Sequence, residues 1–350
     1  LLPGWFLTTS PQGGNMAAND SSVIHQGDAL EVLRTLPAES VQMCCTSPPY
    51  WGLRDYGVTG QLGLERTPRE YVAGMVAVFE EVRRVLKPDG VLWLNLGDSY
   101  ANDTKWGGAS GGKHAADLHG ATGIGRGKTS TGLKPKDLIG IPWRVAFALQ
   151  EAGWYLRCDV IWSKPNPMPE SVTDRPTKAH EYIFLLSKSE RYYYNADAIK
   201  EHGVGDHPRN VQGPMPTRVP GASDHSGMRK SGDKQRGHGR RHAGFNDRWD
   251  AMSKAEQTGV MRNKRSVWNI ATRSFAEAHF ATFPEEIPTV CILAGSRPGD
   301  VVIDPFNGAG TVGVVCAKTG REYIGIELNP AYVAMAEKRI YGVAPLFNQV

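Results

Sequence analysis

Two hydrophobic periods alternate along this chain. Residues 22–27, 41–45, 91–96, 155–162, 181–186, 301–304 and 322–327 are short apolar runs of strand type. Helical segments lie between them. Residues 68–86 are the clearest, with Tyr71, Met75, Val78, Val82 and Val85 recurring at the helical period. Residues 28–36, 138–151, 285–294 and 330–340, and the stretch opening at Val312, read as further helices, the first capped by Asp28. Pro88-Asp89-Gly90 reads as a turn. Strands alternating with helices predict an α/β domain around a mostly parallel, doubly wound sheet.

Three stretches break the pattern. Residues 101–136 are loop-like, with nine glycines in 107–132, and a loop of that length is usually functional. Residues 164–176 are Pro-rich. Residues 201–265 hold 13 Lys/Arg against 7 Asp/Glu, an excess of six. The whole chain carries only +4, so the remainder is −2. A basic insert on a near-neutral body fits a polyanion partner, and the same composition also fits a solvated loop. The expected organisation is an N-terminal extension (1–21), a catalytic part (22–200), the basic insert as target-recognition region (201–265), a cofactor-binding part (266–341) and a tail (342–350). Met16 is expected as the true start, with residues 1–15 an upstream extension.

No run approaches the ~18 apolar residues of a membrane span. The first residues, Leu1-Leu2-Pro3-Gly4, do not read as a secretory signal. Cys44, Cys45, Cys158, Cys291 and Cys316 show neither metal-ligand spacing nor a paired framework. They read as reduced core thiols of a cytoplasmic protein. No metal is expected. No Pro-Cys dipeptide occurs, so a cysteine nucleophile on a base carbon is not indicated.

Two motifs carry chemistry. Thr46-Ser47-Pro48-Pro49-Tyr50 ends the run at 41–45. Consecutive prolines fix φ and remove backbone donors, so their carbonyls are held in set directions. A hydroxyl before them and an aromatic ring after them suit a planar group bearing an NH2, such as a nucleobase. A simple Pro-Pro turn is the plainer reading. Far down the chain, Asp304-Pro305-Phe306-Asn307-Gly308-Ala309-Gly310-Thr311 joins a strand to a helix. Glycines there admit a ligand to the backbone, and helix N–H groups face it. Glu327 lies 17 residues after Gly310, about where an acid meets ribose hydroxyls in a nucleotide-binding βαβ unit. Alone, this second motif suits a nicotinamide, a flavin or S-adenosylmethionine.

The pair resembles the DNA amino-methyltransferases, which move a methyl group from S-adenosylmethionine to cytosine N4 or adenine N6. The order of the motifs is similar to the permuted β subclass, and the resemblance covers about residues 22–341. It implies a Rossmann-like methyltransferase fold with the two motif-bearing strands adjacent. It implies Ser47, Pro48, Pro49 and Tyr50 as catalytic residues. Asp28, Phe283, Pro284, Asp304, Pro305, Phe306, Gly308, Gly310, Thr311 and Glu327 are implied to bind cofactor, Asp28 through the adenine amino group and Phe280 as part of the pocket wall. A helix cap explains Asp28 equally well, and core packing explains Phe280. In the insert, Arg236, Arg240, Arg241, Arg262, Lys264 and Arg265 are the candidates for phosphate contacts. His180 reads as structural.

The expected activity is transfer to the amino group of a base flipped out of double-stranded DNA, with cytosine N4 slightly favoured because Ser stands first in the motif. A homodimer and a restriction–modification context are compatible with the resemblance, which leaves any endonuclease partner open. Three rival readings remain: a nicotinamide oxidoreductase, a DNA-binding regulator without turnover, and an amino-methyltransferase acting on RNA or protein.

Overall fold

A computed structural model describes residues 22–52, 57–101, 133–202, 261–272 and 284–343. They form two compact units, one made of residues 1–195 and 265–350 and the other of residues 196–264.

The larger unit is built on eight strands. These are β1 (Ser22–Gln26), β2 (Val41–Thr46), β3 (Leu86–Leu96), β4 (Tyr155–Ser163), β5 (His180–Ser187), β8 (Val267–Asn269), β9 (Val301–Asp304) and β10 (Glu322–Glu327). They lie in the order β1-β10-β9-β2-β3-β5-β4-β8. Pairs β1–β10, β10–β9, β9–β2, β2–β3 and β4–β8 are parallel. Strand β5 runs antiparallel to both β3 and β4. The sheet is therefore mostly parallel, with one reversed strand.

Helices α1 (Ala29–Thr35), α2 (Pro68–Val85) and α3 (Ile141–Glu151) pack with one another, as do α4 (Glu286–Gly295), α5 (Thr311–Thr319) and α6 (Pro330–Val343). The period-2 geometry of the strands divides the core between them. Leu92, Leu94 and Leu96 join the cluster of Leu33, Tyr71, Val82 and Val145. Val91 and Met43 instead lie against Gly295 of α4. Both sheet faces are covered, which explains why β2 is buried along its whole length.

Local chemistry sets the helix starts. The Asp28 side chain caps α1 by accepting from Leu30 and Glu31 N–H. Thr67 caps α2, and Pro68 takes a first-turn position where no N–H is needed. The third helix begins at Ile141, later than the apolar pattern suggests. Its cap residue, Gly140, is left-handed, and its first amides are held by Asp98.

Pro88-Asp89-Gly90 corrects the expected turn. The segment is part of β3, in an irregularity that shifts register against β2 between Val41 and Met43. Its carbonyls find partners nearby: the Ser189 hydroxyl donates to Pro88 O, Tyr193 N–H to Asp89 O, and Lys188 N–H to Gly90 O.

In the smaller unit, the described residues form a short 3-10 turn (Asp197–Ile199) and a two-strand ladder of β6 (Glu201–His202) and β7 (Met261–Arg262). This unit spans most of the basic insert. Among the described residues, no helix is long and apolar enough to cross a membrane, and no cluster of His, Cys, Asp and Glu has the makings of a metal site.

Candidate active site

The parallel strands place their carboxyl ends along one edge of the sheet. Ser47 follows β2 there, Asp304 ends β9, and Glu327 ends β10. Strands β2 and β9 are neighbours, with Met43 opposite Val302 and Cys44 opposite Ile303. Two motifs about 250 residues apart in sequence thus meet. The chain leaves in opposite directions across the sheet from this pair, and such a switch point is where doubly wound sheets bind ligands. One buried hydrogen bond ties the motifs together: the Thr46 hydroxyl donates to Asp304 Oδ1 at 2.6 Å.

Asp304 also accepts from Phe306 N–H at 3.0 Å. Burial still dominates, and it pushes the carboxyl up from 3.8 to about 7. The chain then turns through Gly308 and Gly310, both left-handed. At Gly310 a side chain is excluded twice over. Its φ is +76°, and a Cβ would stand 2.8 Å from that of Ala336. Thr311 opens α5, so the first amides of that helix face the turn.

Glu327 is held by backbone donors, from Gly308 N–H to one carboxylate oxygen and from Asn329 N–H to the other, each at 2.8 Å. Its pKa is raised, chiefly by burial, and these amides oppose the shift. Gly27 N–H donates to the Glu327 carbonyl at 2.9 Å, which brings Asp28 beside it. Three carboxylates, Asp28, Glu327 and Asp304, therefore end the adjacent strands β1, β10 and β9. That set, beside a glycine turn and a helix N-terminus, fits a ligand with an ammonium group, ribose hydroxyls and an amino-bearing base. Oδ1 of Asp28 is already engaged as the α1 cap. Pro284 is buried just before α4. Phe280 and Phe283 lie outside the described residues, as do Arg236, Arg240 and Arg241.

The Ser47–Tyr50 segment is braced from three sides. Tyr71 of α2 donates its hydroxyl to the Pro49 carbonyl at 2.9 Å. One side of the Tyr50 ring presses on Gly97, where a Cβ would come within 2.5 Å of the ring carbon Cε2. The Tyr50 hydroxyl sits in a polar network that the motifs alone do not reveal. It donates to Glu181 Oε2 at 2.7 Å and accepts from Asn95 Nδ2 at 2.7 Å. Ser47 Oγ donates to it at 3.3 Å. Asn95 Nδ2 also reaches Glu181 at 3.0 Å and Ser47 at 3.4 Å. Lys164 makes an ion pair with the other Glu181 oxygen and lies over the Trp162 ring, 4.3 Å from its centre. Burial first, then the Glu181 charge, pushes the Tyr50 phenol well above its ordinary range, so it stands protonated as a donor.

Glu181 and Lys164 reach this edge because β5 is reversed. Its amino end lies where β3 and β4 finish, with Tyr182 opposite Leu96 and His180 opposite Ser163. Sequence reasoning missed the roles of both Glu181 and Asn95. The available signal for Asn95 was one amide inside the apolar run at 91–96. His180 is only partly buried, stacks edge-on against Tyr182, and has its pKa lowered mainly by burial. Asp98 is committed to the α3 amides, with Lys178 4.0 Å away. In the smaller unit, Arg262 and Lys264 both pair with Glu201, at 3.0 and 3.9 Å. Arg265 belongs to the larger unit and precedes β8.

A mostly parallel sheet with its glycine turn beside a proline-fixed acceptor motif defines a Rossmann-like methyltransferase. Residues 41–338 match the DNA methylase family of N6/N4 methyltransferases. The chain is 45% identical over 323 residues to the type II methyltransferase M.Cfr9I of Citrobacter freundii, covering 92% of this chain and 89% of that protein. It is 46% identical over 318 residues to M.SmaI of Serratia marcescens, covering 90% and 89%. Among solved structures, the cytosine-N4-specific PvuII DNA methyltransferase superposes with a TM-score of 0.54 at 21% identity, over 94% of this chain and 92% of that one. A DNA modification methylase of Thermus thermophilus, complexed with S-adenosyl-L-methionine, gives 0.51 at 23% identity, over 92% and 96%. The chain belongs to the N6/N4 DNA methylase family and is an S-adenosylmethionine-dependent DNA amino-methyltransferase.

Proposed function

We propose that this enzyme methylates cytosine at N4, using Ser47, Pro48 and Tyr50 on a base flipped out of double-stranded DNA. An exocyclic amino group is a poor nucleophile because its lone pair is delocalised into the ring. Ser47 Oγ and the Pro48 carbonyl are two acceptors that draw its hydrogens out of the ring plane and localise that pair. The bound cofactor supplies an electrophilic methyl group on a sulfonium. Pro49 keeps the acceptors rigid, and Tyr50 offers a ring held by its hydroxyl and by Gly97 as a stacking surface. Asp304 holds the ammonium end of the cofactor, Glu327 the ribose hydroxyls, and Asp28 the adenine amino group. Pro305, Phe306, Gly308, Gly310 and Thr311 shape the turn, and Phe283 and Pro284 wall the pocket.

The observation that carries this reading is the Thr46–Asp304 hydrogen bond, which couples the acceptor motif directly to the cofactor turn. Cytosine is favoured because a serine, a neutral acceptor, stands at the first motif position. The basic insert, through Arg236, Arg240, Arg241, Arg262, Lys264 and Arg265, contacts the phosphates. The enzyme works in the cytoplasm on type II sites, in keeping with its five free cysteines.

Ser47→Ala and Tyr50→Ala test the site. Each should lower methyl transfer at least on the order of 100-fold, the effect of losing alignment at the reacting atoms, while titration calorimetry shows cofactor binding retained. Near-full activity in either variant overturns the assignment.

A further inference from the structure

Methyl transfer to a neutral amino group must also dispose of a proton. The nitrogen gains positive charge as its bond to carbon forms, and one N–H must leave for the methylated amine to result. Among the described carboxylates around the site, two are already engaged. Asp304 is tied to Thr46 and Phe306 N–H. Asp98 takes the Gly140 and Ile141 amides. Glu181 differs: one of its oxygens receives the Tyr50 hydroxyl at 2.7 Å, and that hydroxyl receives Ser47 Oγ.

We propose that Glu181 is the terminal proton acceptor of the reaction, reached through Ser47 and the Tyr50 hydroxyl. The inference rests on the reading of Ser47 as an acceptor for the target amino group. In the step, the amino nitrogen forms its bond to the methyl carbon and the sulfur–carbon bond breaks, its pair staying on sulfur. The departing N–H proton passes to Ser47 Oγ, the serine proton to Tyr50 Oη, and the phenol proton to Glu181 Oε2. Charge balances, because the sulfonium charge is cancelled and the proton neutralises one carboxylate.

The geometry fits such a chain. The Tyr50 oxygen accepts from Asn95 and Ser47 and donates only to Glu181, so its proton has a defined direction. Lys164 fixes the other Glu181 oxygen. The Glu181 side chain keeps 16% exposure, a way out to solvent after turnover. Glu181 acts through Tyr50 and never touches the base, so it is a positioning and proton-accepting residue rather than one in contact with substrate.

The test is single-turnover transfer of labelled methyl to DNA for Glu181→Gln, Tyr50→Phe and their double variant, with cofactor binding measured on the same preparations. Glu181→Gln keeps an acceptor for the tyrosine but lacks the basicity, and Tyr50→Phe keeps the ring and the Lys164–Glu181 pair. Each should slow transfer about 100-fold, the low end for general acid–base catalysis. The double variant should be no slower than either single one. The residual rate of Glu181→Gln should climb with pH and buffer base, which then take the proton, while the wild-type rate does not follow buffer concentration. Single variants within twofold of wild type, or losses that multiply in the double variant, overturn the relay. Ser47→Ala, run alongside, separates the two levels. If it is inactive while Glu181→Gln is fully active, only the relay is wrong. If Ser47→Ala is fully active, the site itself is misassigned.

Discussion

Thr46 and Asp304 stand 258 residues apart, and their side chains share a fully buried hydrogen bond of 2.6 Å. It crosses the junction of β2 and β9. A shift of either strand end would therefore move the base-binding motif relative to the cofactor turn. Thr46→Val should cost about 1–3 kcal/mol of stability, the penalty for leaving a buried acceptor short of a partner. It should also weaken cofactor binding near neutral pH, because the hydroxyl favours the ionised carboxylate. Urea melts and calorimetry on the variant check both effects; unchanged values in both would show the bond to be incidental.

Asp304 also makes stability depend on pH. Its folded pKa, about 7, is raised above the ordinary 3.8, mainly by burial. The unfolded chain thus ionises first, and the associated stability is present in full below about pH 4 and lost as pH rises to about 7. The difference between the two values corresponds to about 4 kcal/mol as an upper bound. Asp304→Asn should flatten this decline in the cofactor-free protein. An equally steep decline in the variant would place its source elsewhere.

Cofactor affinity should follow the same carboxylate in the opposite sense. A cationic ammonium favours ionised Asp304, so binding should be roughly tenfold weaker at about pH 6 than at about pH 8, where the carboxyl is already ionised. Binding at the lower pH should then release a proton to the buffer. Calorimetry in buffers of different ionisation enthalpy reads the proton count directly. A count of zero at about pH 6.5, close to that pKa, would remove Asp304 from the ammonium site.

Gly97 sets the Tyr50 ring position. A methyl group there would meet Cε2 at 2.5 Å and Cδ2 at 2.8 Å. Gly97→Ala should therefore displace the ring and lower transfer on the order of 100-fold, with cofactor affinity intact. Wild-type turnover in Gly97→Ala would mean that the ring position does not matter for the reaction.

Much of this site was legible in the sequence because each motif is local: a strand end and the turn that follows it. Ser47–Tyr50 and Asp304–Thr311 could be read from proline and glycine chemistry alone, and β2 next to β9 follows from the resemblance. The role of Glu181 was not legible, because its approach depends on the direction of β5, which no local pattern encodes. Asn95 is one amide in an apolar strand. Pro88-Asp89-Gly90 misled for the opposite reason: its turn chemistry is real, but pairing on both sides draws it into β3 as an irregularity.

The basic insert should contribute affinity rather than chemistry. Replacing Arg236, Arg240 and Arg241 with Glu should weaken DNA binding and make its salt dependence shallower, by about 0.9 for each phosphate no longer neutralised. An unchanged slope in salt titrations would make these residues bystanders.

The most direct test is incubation with unmethylated DNA and S-adenosylmethionine, digestion to nucleosides and mass analysis. The wild type should yield N4-methylcytosine, and Ser47→Ala should yield none. N6-methyladenine would contradict the choice of base made from Ser47. Absence of any methylated nucleoside, from folded enzyme with bound cofactor and a DNA bearing its site, would contradict the assignment of Ser47, Pro48 and Tyr50 as the methyl-transfer site.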